Sequence, residues 1–271
     1  MPELPEVETI RRALAPQVAG QTILALDVLQ LHLRFPVPQT LAQDLPGRKI
    51  LGLERRGKYL VFRLTGDRYL LVHLGMSGRL RLAGPETPLL AHEHWQLRLE
   101  TVALRLRDPR RFSLLLEGSG SPGAHPLLRR LGPEPLEAQF TETYWIETVR
   151  HRKAAIKTLL MDGRIVAGVG NIYANEALHR SGIHPNRPGR RLAKARLLRL
   201  HAMTRTVLLE ALDSGGSTLR DYRKIDGTPG EFNSVFRVYG RGGAPCLACG
   251  HLIRQIRTGQ RSTFYCPVCQ T

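Results

Sequence analysis

Residues 246–269 read CLACGHLIRQIRTGQRSTFYCPVC, and they hold all four cysteines of a 271-residue chain. Two Cys-x2-Cys pairs, Cys246/Cys249 and Cys266/Cys269, stand sixteen residues apart. Each pair can set two thiolates on one side of a tight turn, and two such knuckles complete a tetrahedral four-sulfur zinc site. Between them Leu252–Arg257 and Ser262–Tyr265 are strand-like, with Thr258-Gly259-Gln260 as the turn. The reading is a two-stranded ribbon pinned at its base by one zinc ion. Protein fills every ligand position, so the metal is structural. The competing readings are two disulfides, which suit a reducing cytosol poorly, or four free thiols. A ribbon this small cannot bury a core of its own, so metal supplies much of its folding energy.

Upstream the pattern is helical. Thr141–His151, Ala154–Met161, Ile172–Arg180 and Arg191–Leu212 carry apolar residues at helical spacing. Residues 214–234, with several glycines and polar side chains, read as a long mobile loop. Farther back, GSGSPGAHP at 118–126 is a loop, and residues 21–117 are mostly short strands. Tyr59–Leu64 and Tyr69–Leu74 flank a Thr65-Gly66-Asp67 hairpin turn; Trp95–Leu99, Ala103–Leu106 and Phe112–Leu116 follow. Residues 2 to about 15 form a helix, with Val7, Ile10 and Leu14 on one stripe. One helix ahead of many antiparallel strands predicts a β-sandwich, and the whole chain an α+β multidomain protein.

Charge narrows the partners. Forty Lys and Arg against 23 acids give a net +17. Such an excess favours DNA, RNA or an anionic membrane surface, and would also suit a ribosomal protein. The arginine pairs Arg55-Arg56, Arg110-Arg111, Arg129-Arg130 and Arg190-Arg191 spread that charge along the chain. No apolar run reaches the roughly 20 residues that span a bilayer. The start, MPELPEVETIRR, has acids where a signal peptide has bases, so a cytoplasmic protein without a membrane partner is expected.

Pro2 follows the initiator Met. Removal of Met1 would leave a secondary amine, and an α-amino group, with a pKa of about 8, is far more often neutral than lysine. A neutral amine can attack a sugar carbon and form an iminium, and a helix start favours the neutral form. Glu3 and Glu6 beside it are ordinary helix-start acids, or the acid/base partners of that amine.

Four segments resemble one family in register from end to end: PELPEVETIRR at the start, HLGMSGRL at 73–80, GVGNIYANEAL at 168–178 and the terminal QRSTFYCPVCQ. The family is formamidopyrimidine-DNA glycosylase. The resemblance implies an N-terminal helix and antiparallel β-sandwich (1–133), a helix-two-turn-helix domain (134–232) with a lesion-capping loop near 214–232, and a β-ribbon zinc finger (233–271). It implies damaged double-stranded DNA as partner, bound in a cleft between the domains. The activity implied is a bifunctional glycosylase/AP lyase of base excision repair that removes 8-oxoguanine and formamidopyrimidines, then nicks by β,δ-elimination.

Residue by residue, Pro2 matches the family's nucleophile, Glu3 its catalytic acid and Glu6 a supporting acid. Lys58 matches a lysine near the lesion and its phosphate, and Arg261 the arginine that grips phosphates beside the extruded nucleotide. His73 and Asn171 match phosphate contacts, Lys157 a lysine near the lesion, and Glu176 a buried acid. Ser217 to Tyr222 fall in the loop that closes over the flipped purine. Met76, Arg110 and Phe112 match the residues that fill the gap left in the stack. A base must leave the stack to be attacked, at a cost of a few kcal/mol, and apolar wedges offset that cost. By pattern alone Met76 and Phe112 would be core, Lys157 a solvated helix residue, and Arg254, Arg257 and Arg261 a solvated face or phosphate contacts.

Two other readings compete. The sister endonuclease VIII group prefers oxidised pyrimidines and typically starts Pro-Glu-Gly-Pro-Glu, where this chain has Leu4. A non-catalytic damage binder would keep charge, ribbon and wedge but would not need Pro2, Glu3 and Glu6. His92 and His94 read as a histidine-rich loop, and Gly168–Gly170 lacks the Lys-Ser/Thr of a phosphate-binding loop. No soluble cofactor is expected, because the reaction moves protons and not electrons. The expected form is a monomer associated with the bacterial nucleoid.

Overall fold

Leu4, Val7, Ile10, Leu14 and Val18 recur at the helical period, and all are buried. They form the inner face of helix α1 (Leu4–Val18) in a computed structural model that describes residues 2–84, 86–217 and 236–271. Glu3 is the N-cap, and the Glu6 carboxylate reaches back to accept the Glu3 N–H at 2.8 Å, closing a capping box. The chain divides into two units, Met1–Arg129 with Gly215–Glu231, and Arg130–Ser214 with Phe232–Thr271.

In the first unit, β1 (Ile23–Val28), a short α2 (Leu41–Asp44), β2 (Ile50–Arg56), β3 (Tyr59–Leu64) and β4 (Arg68–His73) come first. Then follow β5 (Arg79–Ala83), β6 (Glu93–Leu99), β7 (Ala103–Arg107) and β8 (Leu114–Ser119). They make two antiparallel four-stranded sheets, β1-β6-β7-β5 and β2-β3-β4-β8. Val7, Ile10 and Leu14 share one core with Leu60, Phe62, Val72, Trp95 and Leu104, so the sandwich packs on the helix as well as on itself.

The expected hairpin over Thr65–Asp67 is present, with Leu64 paired to Arg68. A second, tighter hairpin joins β2 to β3 through Gly57 and Lys58. Gly57 has φ +56°, which suits the first position of a two-residue turn, and the turn carries Lys58 at its tip. One expectation fails locally: Phe112 does not start a strand. The Asp108 carboxylate accepts the Ser113 N–H at 2.8 Å, which keeps 108–113 a loop, and β8 begins at Leu114.

The second unit holds α3 (Glu142–Val149), α4 (Ile156–Met161), α5 (Asn171–Arg180), α6 (Lys194–Asp213) and the ribbon β9 (Arg254–Thr258)/β10 (Arg261–Tyr265). Trp145, Tyr173, Leu178, Leu200 and Val207 are its core. Thr141 caps α3 by accepting the Tyr144 N–H at 3.0 Å. Helix α6 begins at Lys194, three residues later than its apolar period suggests. The N–H groups of Gly189 and Arg190 are already bonded to Ala154 and Arg152, so that stretch is a 3₁₀ turn.

Candidate functional site

Pro2 is buried immediately ahead of α1. Glu3 is 3% exposed and Glu6 1%. Besides the Glu3 N–H, Glu6 accepts the Ser217 N–H at 2.8 Å and the Ser217 hydroxyl at 2.9 Å. Three donors converge on one carboxylate, which ties the N-terminus to the segment entering the 214–232 region. Tyr222 and most of that region lie outside the described residues. Glu8, on the same helix, binds Arg11, Arg12 and Arg55 at 2.8–3.1 Å. Burial alone would raise its pKa; these arginines outweigh it and hold the carboxyl at about 2.

His73, at the end of β4, is buried and packs against Tyr59 in a tilted ring contact, centroids 4.8 Å apart. Burial first, then the charges of Lys58 and Arg34, push its pKa down to about 3. Its Nδ1 accepts the Gly75 N–H at 2.9 Å, so the neutral ring carries its proton on Nε2. A neutral N–H donor is thus held beside two cations. Arg34 belongs to this basic corner and was not singled out by sequence, because it lies in the irregular stretch after β1.

Met76 is half-buried; Arg110 and Phe112 are exposed, Phe112 by 42%. These side chains therefore do not belong to the core. The Arg110 guanidinium carbon lies 5.1 Å from the Phe112 ring centroid. Gly75 has φ +62°, and a Cβ there would come within 2.3 Å of the Phe112 carbonyl carbon. Only glycine lets the Met76 turn and the Phe112 loop touch backbone to backbone.

In the second unit Lys157 is 1% exposed. Its ammonium donates to Thr263 Oγ1 at 2.6 Å and to Ser262 O at 3.1 Å. It is a buried brace of β10 and not a solvated helix residue. Asn171 donates to the same Ser262 carbonyl at 2.9 Å, next to exposed Arg261. Asn175, missed by sequence, accepts the Phe264 N–H at 2.8 Å. Fully buried Glu176 accepts the N–H groups of Arg237, Val238 and Tyr239 at 2.9–3.0 Å. Lys157 on α4 with Asn171 and Asn175 on α5 thus fasten β10, and Glu176 fixes the 237–239 segment that leads into the ribbon.

The Sγ atoms of Cys246, Cys249, Cys266 and Cys269 all lie within 4.8 Å of one another, and none is in a disulfide. The closer pairs are 3.4 and 3.9 Å. A tetrahedral zinc with Zn–S bonds of about 2.3 Å needs sulfurs about 3.8 Å apart, so the four thiolates fit it. His179 Nε2 lies 3.6 Å from Cys246 Sγ, and Gln270 Oε1 accepts the Cys266 N–H at 2.8 Å, giving outer support to two ligands.

Three family models match along the chain. They are the formamidopyrimidine-DNA glycosylase N-terminal domain over 1–115, its H2TH domain over 131–223, and the zinc finger found in FPG and IleRS over 243–271. That order marks a DNA glycosylase of the helix-two-turn-helix class. The formamidopyrimidine-DNA glycosylase of Methylococcus capsulatus is 48% identical over 271 residues, all of each chain. The crystal structure of the MutM (FPG) protein of Thermus thermophilus is 42% identical, with a TM-score of 0.90 over 99% of this chain and 98% of that one. Lactococcus lactis Fpg in complex with DNA containing an abasic site is 35% identical, with a TM-score of 0.92 over 99% of each chain. The chain belongs to the formamidopyrimidine-DNA glycosylase family. It is a DNA glycosylase of base excision repair with a structural zinc, and AP lyase activity is typical of its family. Among the described residues no helix is long and apolar enough to cross a membrane.

Proposed function

We propose that this chain excises 8-oxoguanine and formamidopyrimidines from duplex DNA through Pro2, then cuts the strand on both sides of the lost base. The observation that carries this reading is the buried Glu3–Glu6 capping box directly behind Pro2. Two carboxyls buried beside an amine suit proton transfer more than a solvated helix cap.

The proposed residue roles follow from chemistry. The 1–133 domain carries the reaction, 134–232 and the 233–271 finger hold the DNA, and zinc enters no step. Lys58, His73, Lys157, Asn171 and Arg261 serve phosphate and lesion binding, directly or by bracing their neighbours. Met76, Arg110 and Phe112 fill the gap, with Arg110 offering donors to the orphaned cytosine. Ser217 anchors the start of the lesion-capping loop on Glu6, and Tyr222 belongs to that loop.

With Met1 removed, the neutral Pro2 nitrogen attacks C1′ as the base departs with a proton supplied by Glu3. Ring opening gives an iminium that acidifies C2′–H. Loss of that proton breaks C3′–O, a second elimination breaks C5′–O, and water releases the sugar fragment from Pro2. The work is done on the bacterial nucleoid in the cytoplasm.

The test is borohydride trapping on duplexes carrying 8-oxoguanine opposite cytosine, beside an oxidised-pyrimidine duplex, with the adduct located by mass spectrometry. A cross-link at Pro2, mainly on the purine lesion, is expected. Trapping mainly on the pyrimidine would move the chain to the endonuclease VIII specificity. Binding without trapping would leave a damage-binding protein.

A further inference from the structure

Residues 108–113 read Asp-Pro-Arg-Arg-Phe-Ser. Asp followed by Pro opens a β-turn, and the Arg111 N–H closes it on Asp108 O at 3.1 Å. Arg111 then adopts φ +57°, a left-handed conformation that costs a residue with a side chain about 1 kcal/mol. This reversal accompanies the placing of Arg110 against the Phe112 ring. Backbone strain of this kind persists only where the surroundings over-determine it.

What holds the loop is the Asp108 carboxylate, which is 0% exposed. Oδ2 accepts the Ser113 N–H at 2.8 Å, and Oδ1 accepts the Arg110 N–H at 3.3 Å and the Ser77 hydroxyl at 2.5 Å. Its main chain is fixed as well. The Asp108 N–H donates to His92 O at 2.9 Å, and His94 Nε2 lies 2.6 Å from Asp108 O. Ser77 directly follows Met76, so one side chain binds both loops that carry the gap-filling residues. Among the described residues Asp108 has no cationic partner. A buried carboxylate held by hydrogen bonds alone is a costly way to close a surface loop.

We infer that Asp108 is a positioning residue: it orders the Met76 turn and the Arg110–Phe112 loop into a wedge before DNA arrives. The inference rests on the reading above that these three residues fill the gap. A wedge ordered in advance loses less entropy on insertion, so it lowers the barrier to opening a stacked pair and leaves the later chemistry untouched.

The test compares Asp108→Asn with the parent in two measurements. In the first, without DNA, amide hydrogen exchange at residues 110–113 should speed up by about tenfold while the strand core stays protected. Unchanged exchange there overturns the inference. In the second, single-turnover excision of 8-oxoguanine should fall about tenfold in a fully paired duplex. It should stay within about twofold of the parent when a bulge already unstacks the lesion, because no pair then has to be opened. Equal losses on both substrates would make Asp108 a merely structural residue, and no loss on either would also overturn its role. Should Asp108→Asn unfold, Ser77→Ala, which removes one donor to the same oxygen, takes its place with the same pattern expected. Trapping at Pro2 by the parent is scored separately: its failure sinks the activity, whereas the exchange result reads the wedge without it.

Discussion

Glu6 Oε1 accepts both the backbone N–H and the hydroxyl of Ser217, at 2.8 and 2.9 Å, across 211 residues of sequence. Its other oxygen takes the Glu3 N–H at 2.8 Å. One carboxylate therefore sets the start of α1 and the start of the segment after α6. Asparagine or glutamine chemistry cannot replace it, because an amide offers one acceptor oxygen and turns donors toward donors. Glu6→Gln should lose about 1–3 kcal/mol of stability, the cost of leaving buried donors unpaired. Ser217→Ala, which keeps the backbone donor, should lose about 1 kcal/mol or less. Denaturant unfolding of the two variants checks the order. Equal effects would mean that the Ser217 hydroxyl carries the whole link.

Gly75→Ala should disable the wedge through the Met76 turn. The added Cβ would sit 2.3 Å from the Phe112 carbonyl carbon, at φ +62°. Positive φ alone costs alanine about 1 kcal/mol, and a clash with backbone adds to it. A Tm below that of the parent and slower excision from paired duplex are expected. An unchanged Tm would show that the two loops can part without cost.

What sequence disclosed and what it withheld divide along physical lines. Helix α1 was legible from Val7, Ile10 and Leu14, because a period of 3–4 residues survives without tertiary context. The ribbon was legible because thiolate spacing encodes metal geometry. Phe112 was read as the start of a strand, since its apolar side chain continues the run into Leu116. Its exclusion depends on the Asp108–Ser113 hydrogen bond, and the Asp108-Pro109 turn signal was the available hint. Lys157 could not be placed by its type. A lysine on a short helix looks solvated until β10 is known to bring Thr263 to it. Arg34 had no periodic frame around it at all. On α5, Asn175, which holds β10, was visible only as a polar letter in a helix, whereas the family resemblance marked Glu176 as a buried acid without showing that it holds the N–H groups of 237–239.

Zinc removal should loosen the ribbon before the rest of the chain. Cys246 and Cys266 belong to a small core of Val238, Ile253 and Phe264, too little apolar area to fold alone. Chelation, or Cys249→Ser, should release one zinc per chain and lower duplex affinity, while the far-UV signal of α3–α6 and the sandwich largely remains. Global unfolding on chelation would show that the braces from Lys157, Asn175 and Glu176 transmit the loss into the helical unit.

Acid should destabilise the protein in two stages. The first comes from His73, whose pKa falls from the ordinary 6.5 to about 3 on folding. Between those values the unfolded chain binds the proton and the folded chain does not, so stability drops as pH falls from 6.5 towards 3. The slope is up to about 1.4 kcal/mol per pH unit. The second comes from Glu8, lowered from 4.5 to about 2. Its contribution is complete above pH 4.5 and is lost as pH falls towards 2. Unfolding titrations at successive pH values should thus show a decline beginning below 6.5 and steepening below 4.5. His73→Asn removes the titrating ring, so its curve should stay flatter between 6.5 and 4.5 than that of the parent. The difference between the two curves cancels proton-driven zinc release, which both proteins share. Parallel curves through that window would mean that His73 accepts a proton in the folded state, and its role as a neutral N–H donor beside Lys58 would be lost with it.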